Sequence, residues 1–136
     1  MNEDFPKSVR LLLDENLPPR AARSLQALFE EHEIVALRQK FGRPGISDKE
    51  WIEALGNEGR WSVLTADRRI GRNAIERDAF LRNNLVGFVL APSLRKKPLH
   101  QQIARLLYIW PDIVGQSELV SRGLFEISER GRLKQI

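Results

Sequence analysis

Two aspartates close aliphatic runs in this chain: Asp14 ends "VRLLLD" and Asp67 ends "WSVLTAD". A carboxylate at the end of a buried run loses hydration, so it either takes up a proton or gains a cationic partner. If the two runs are neighbouring strands, about 5 Å apart, both carboxylates can converge on one ion. Asp48, in "SDKEW", offers a third oxygen donor at the start of a helix. An all-oxygen set favours Mg²⁺ or Mn²⁺, which keep several waters and bind phosphate oxygens readily. That chemistry is phosphodiester hydrolysis: the ion activates water and offsets developing charge, and no covalent nucleophile is needed. Asp and Asn also stand at strand-to-helix turns simply because they cap helices, which accounts for Asp14 or Asp48 taken singly. Repetition sets the pair apart, since two separate aliphatic strands each end in Asp where Ser or Thr would cap as well.

These residues need a scaffold, and the composition supplies one. At 136 residues, 42% hydrophobic and 29% charged, the chain is expected to be a single globular domain over residues 1–136. No apolar run approaches the ~20 residues a membrane helix needs. The opening "MNEDFPKSVR" has neither the basic region nor the apolar block of a signal peptide, so a cytoplasmic location is expected. Cysteine is absent, which removes disulfides, thiolate metal sites and a cysteine nucleophile; His32 and His100 lie far apart, against a histidine zinc site. A net charge of +4 and a pI near 9.8 suit a phosphate-bearing partner and equally suit ordinary solubility.

Strands and helices alternate along the chain. "VRLLLD" reads as a strand buried on both faces, after which Asn16 caps a helix with Pro18 and Pro19 in its first turn. "EIVAL" is a second strand, "RQKFGRPGIS" a loop, and Ser47 or Asp48 caps a helix that stops near Gly56 or Gly59. "WSVLTAD" is a third strand, followed by a helix within "RRIGRNAIERDAFLRN". "LVGFVLAP" is a fourth strand, and "LHQQIARLLYIW" an amphipathic helix that Pro111 bends or ends. "LFEIS", "ERG" and "RLKQI" make a hairpin over about 123–136, read as an appendage at the sheet edge. This alternation implies right-handed crossovers and a mostly parallel sheet covered on both faces, with ligands at its carboxyl edge.

"LLLDENLP", the acidic helix start "SDKEW" and "VLTADRRI" resemble the PIN-like nucleases, in particular a compact branch with an N-terminal DEN(L/M)P signature and a later T-x-D strand end. The resemblance covers roughly residues 9 to 90. It implies an α/β, three-layer PIN-like fold, Mg²⁺- or Mn²⁺-dependent endoribonuclease activity, and service as the toxin of a toxin–antitoxin pair. By this resemblance Asp14, Asp48 and Asp67 are metal ligands, Thr65 orients the site, and Glu15 is a nearby acid that binds metal or positions water. One position departs from the pattern: many relatives carry another acid two residues after the T-x-D aspartate, where this chain has Arg69. Glu76 and Asp78 belong to a helix face that would hold them anyway, Glu50 is a reserve ligand, and Glu53 faces solvent.

For RNA, Arg20, Lys40, Arg43, Arg68, Arg69 and Arg72 flank the acidic positions and would offset repulsion of phosphates. Arg95 to Lys97, after the fourth strand, either extend this track or form a solvated loop, and the loop is the preferred reading. Trp51 and Trp61 are candidates to stack bases, with burial preferred for Trp61, while Tyr108 and Trp110 belong to a core or interface. The apolar side of "IARLLYIW" serves either a homodimer or the monomer core. Two other functions fit parts of the pattern: a non-catalytic PIN-like module binding nucleic acid or protein, motivated by Arg69, and a receiver-like phosphoacceptor domain using Lys96 or Lys97.

Overall fold

The computed structural model describes residues 8–136; the reading of the N-terminus as free of a signal peptide rests chiefly on positions 1–7 and lies outside the described residues. The first half runs β1 (Arg10–Leu13), α1 (Pro19–Leu28), β2 (Glu33–Ala36), α2 (Leu37–Phe41), α3 (Asp48–Glu58) and β3 (Trp61–Thr65). The second half runs α4 (Arg69–Arg72), α5 (Ala74–Arg82), β4 (Val86–Leu90), α6 (Pro92–Arg95), α7 (Leu99–Leu119), β5 (Gly123–Ile127) and β6 (Leu133–Gln135). One six-stranded sheet has the order β2-β1-β3-β4-β5-β6. Every pairing is parallel except β5 with β6. Among the described residues, no helix is long and apolar enough to cross a membrane.

Side-chain alternation along each strand divides the interior into two cores. Leu11 and Leu13 face one side with Phe88 and Phe125, against Ala22 and Leu25 of α1 and Leu106, Ile109 and Ile113 of α7. Leu12, Val63 and Val89 face the other, against Trp51 and Leu55 of α3 and Phe80 of α5. Helices therefore cover both faces of a mostly parallel sheet, which is why the strands read as unbroken aliphatic runs.

Several local expectations are corrected. Asn16 caps no helix; Pro18 is the N-cap of α1 and carries no side-chain cap bond. The stretch read as a loop from Arg38 begins inside α2, a helix of five residues that Gly42 ends in the left-handed region at φ 70°. Five residues are too few for helical periodicity to register in sequence. Gly56 lies within α3, which opens with a capping box between Ser47 and Glu50 and ends at Gly59. Pro111 does not end α7, which continues eight residues beyond it to Leu119. A proline inside a helix costs about 3 kcal/mol, but burying Ile109, Trp110 and Ile113 on either side of it returns roughly 1.5–3 kcal/mol each. The C-terminal hairpin stands at the sheet edge as expected, β6 pairing antiparallel with β5, but it is more than an appendage, since β5 pairs in parallel with β4, Phe88 opposite Phe125, and is buried in the sheet.

Candidate active site

The site is built where β1 and β3 lie side by side, Leu13 opposite Leu64. Asp14 N donates to Leu64 O at 3.0 Å and extends the ladder by one residue. After β1 the chain moves outward to β2, and then returns to place β3 on the other flank of β1. That reversal is a topological switch point, and a crevice at the carboxyl edge is its geometric consequence. A cleft of about 770 Å³ opens there, and its lining includes Asp14, Glu15, Asp48 and Asp67 beside Arg20, Arg69 and Arg95.

Asp14 is buried to 8% exposure. Its Oδ1 accepts from Glu15 N at 2.7 Å and its Oδ2 from the Thr65 hydroxyl at 3.1 Å. Burial pushes its carboxyl above the ordinary value; those two hydrogen bonds oppose the shift, and the charges of Asp48 and Asp67 add to it. Asp67 behaves in the opposite way. Its backbone N–H donates to Thr65 Oγ1 at 3.0 Å, and both its oxygens accept from the Arg69 guanidinium, the shortest contact being 2.6 Å. Arg69 holds the Asp67 carboxyl below its ordinary value despite partial burial, and the same partner raises the pKa of Arg69. Asp48, the first residue of α3, accepts from Trp51 Nε1 at 3.0 Å.

The side chains proposed from sequence as metal ligands thus border one cleft, but each has a different engagement. Among the described residues, no group of three His, Cys, Asp or Glu side chains is gathered tightly enough to hold a metal ion. The donor chemistry suits Mg²⁺ or Mn²⁺ nonetheless: carboxylate oxygens in an open cleft, one of them desolvated and facing two like charges.

Of the other residues proposed from sequence, Thr65 is buried beneath the cleft and bonds to Asp14, while Glu15 is exposed at its border. Arg20 and Arg69 line the cleft. Arg43 pairs instead with Glu50 at 2.6 Å and Arg68 with Glu126 at 2.9 Å. The Glu50 carboxylate is further committed to capping α3, accepting from Ser47 N and Oγ, and Arg72 is exposed outside the lining. Lys40 pairs with Glu58 at 2.9 Å and lies over the Trp61 ring. Trp51 and Trp61 are both buried, so neither offers a face to a base; Tyr108, expected in a core or interface, is 72% exposed. Trp110 is core and stacks on Phe29 at 4.3 Å.

Sequence reading gave Asn16 and Gln102 no part in the site and ranked Arg95 second, behind a solvated loop. Asn16 bridges to β3, with Nδ2 3.2 Å from Thr65 Oγ1 and Oδ1 2.9 Å from Ala66 N. Arg95 reaches the cleft and donates to Ala66 O at 3.3 Å. Gln102, also in the lining, fixes the α6–α7 turn through Arg95 O and Lys97 O. Of Asn16 and Gln102, only Asn16 left a signal, as an amide inside the quoted "LLLDENLP" stretch.

A doubly wound sheet with carboxylates at the carboxyl edge of its switch point defines a class of α/β domains that present an acidic cleft. Within that class, the family described as "PIN like domain" matches residues 9–92, more than half of the 136-residue chain. The chain belongs to the PIN-like domain family, whose members are nuclease-type modules. No curated protein and no solved structure matches it.

Proposed function

We propose that this protein is a metal-dependent endoribonuclease, a single PIN-like domain that hydrolyses RNA phosphodiester bonds. The observation that carries the reading is that Asp14, Asp48 and Asp67 all line one open cleft at the switch point, with Asp14 desolvated and repelled by the other two charges. In this reading Asp14, Asp48 and Asp67 hold Mg²⁺ or Mn²⁺. When bound, the ion supplies Lewis acidity toward the phosphate and toward water. Thr65 keeps Asp14 oriented through its hydroxyl, and Glu15, at the cleft border, positions water. Arg20, Arg69 and Arg95 attract the phosphate backbone and offset the repulsion between it and the carboxylates. The toxin role, with an antitoxin protein as partner, follows from the resemblance of "LLLDENLP" and "VLTADRRI" to that branch of the family.

The test is cleavage of RNA by purified protein in Mn²⁺ and in EDTA. Asp14→Asn and Asp67→Asn should abolish cutting while melting cooperatively; undiminished cutting by either variant rejects the assignment. Induced expression should arrest growth for wild type and not for Asp14→Asn if the protein is a toxin.

A second reading has its own observation. The bidentate grip of Arg69 on Asp67 favours a non-catalytic module that binds nucleic acid or protein. Retained RNA binding with no Mn²⁺ uptake at millimolar concentration would select it. The phosphoacceptor alternative gains nothing, since Lys96 and Lys97 are exposed and outside the cleft lining.

A further inference from the structure

Asp67 gives both carboxylate oxygens to one side chain. Arg69 Nε lies 3.1 Å from Oδ1 and 2.9 Å from Oδ2, Nη2 lies 2.6 Å from Oδ2, and the backbone N–H of Arg69 donates to Oδ1 at 3.0 Å. A cation and this guanidinium fork compete for the same lone pairs, and the fork adds a positive charge that repels the cation. Among the described residues, Asp67 is the one side-chain partner of Arg69, whose side chain is 70% exposed. The guanidinium end of this pair is open to solvent although Asp67 itself is only 27% exposed, so a competing anion can reach the fork. A phosphodiester offers the same fork an equivalent pair of acceptor oxygens, and Arg69 already borders the cleft that such a group would enter.

We propose that Arg69 is an exchangeable latch on the acidic cleft: in the free protein its guanidinium occupies Asp67, and a substrate phosphate draws it away and exposes that carboxylate. The latch rests on the nuclease reading and adds an order of events to it. Phosphate and divalent cation then reinforce one another's binding, because the first removes the competitor of the second; by linkage the reinforcement is equal in both directions. It also gives a function to the departure from the family pattern at position 69. An arginine in place of an acid makes metal loading depend on substrate, where a further carboxylate would load metal in its absence.

Calorimetric titration of Mn²⁺ into wild type, Arg69→Gln and Arg69→Lys, each alone and with a short 2′-O-methyl oligouridylate, tests this. Arg69→Gln should bind Mn²⁺ about fivefold more tightly than wild type or better, with Arg69→Lys between the two, and the oligonucleotide should tighten Mn²⁺ by a similar factor in wild type but not in Arg69→Gln. Equal Mn²⁺ affinity in wild type and Arg69→Gln, with no effect of oligonucleotide on either, overturns the latch and leaves the metal site standing. Failure of every form to bind Mn²⁺ removes both the latch and the nuclease reading. Thermal melting of each variant checks that its fold is intact. Should a variant fail to fold, the oligonucleotide's effect on wild type decides alone: no tightening overturns the latch.

Discussion

Asn16 and Thr65 meet across the switch point, the amide Nδ2 donating to the threonine hydroxyl at 3.2 Å. The other end of that amide accepts from Ala66 N, so one side chain ties the turn after β1 to the end of β3. Thr65 Oγ1 has one proton to give, and Asp14 Oδ2 at 3.1 Å is a closer acceptor than Asn16 Oδ1 at 3.4 Å. The same oxygen accepts from Asp67 N. Asp14 and the backbone of Asp67 are therefore positioned through a single buried hydroxyl.

Replacing Thr65 by Val keeps the shape of the side chain and deletes that hydroxyl. Asp14 then loses a donor and Asp67 N an acceptor, at an expected cost of about 1–3 kcal/mol, whereas Asn16→Ala at the exposed rim should cost about 1 kcal/mol. Urea denaturation midpoints measure both. Midpoints equal to that of wild type would show that the clamp contributes nothing.

Stability should depend on pH through Asp14 with an unusual sign. Its folded-state carboxyl titrates above the ordinary value of 3.8 because of burial. Above that value the unfolded chain has already released the proton while the folded chain still holds it. Stability from this group therefore falls as pH rises from about 4 through the folded pKa. Asp67, held low by Arg69, acts oppositely, losing its contribution as pH falls below the ordinary value. Asp14→Asn isolates the first effect: the variant should be more stable than wild type at neutral pH, with the difference shrinking toward pH 4. Parallel stability–pH curves for the two proteins would contradict the burial argument.

Gly87 sets how closely β4 approaches the helix layer. A Cβ there would lie 2.6 Å from Leu124 Cδ2 and 3.0 Å from both Phe80 Cε1 and Cζ, within the core between the sheet and α5. Gly87→Ala should lower stability by about 1–3 kcal/mol through overpacking. Phe80→Leu in the same chain should recover part of the loss, which thermal melting of the single and double variants would reveal.

The positions of Asp14, Asp67 and the strands that bear them were legible because each strand is buried on both faces and stops at a polar residue. Adjacency of β1 and β3 entered only as a condition, because crossover rules give handedness and not strand order; the order β2-β1-β3 meets that condition. What could not be read was the partnering of long side chains. Arg43, Arg68 and Arg69 are indistinguishable in sequence, yet the first two are tied to Glu50 and Glu126 and the third to Asp67. Arg95 reaches the cleft only because α6 brings it beside Ala66, 29 positions away along the chain. Pro111 misled for a related reason: local backbone chemistry argued for an end, and burial on both sides of it decided otherwise.

That difference among arginines makes the last prediction. Under the nuclease reading, RNA affinity should drop for Arg20→Ala, Arg69→Ala and Arg95→Ala, which border the cleft, and hold for Arg43→Ala and Arg68→Ala, which lie outside its lining and are tied to Glu50 and Glu126 there. Each cleft arginine that contacts a phosphate should also reduce the steepness of the log affinity against log salt plot by about 0.7, the value for single strands. Arg95 is the most discriminating of the set, because nothing in its surrounding "RKKP" distinguishes it from Lys96 and Lys97. Fluorescence anisotropy with labelled RNA over a salt series reads all of these. Equal losses across the five variants would mean that the strand follows general surface charge, and that the cleft does not guide it.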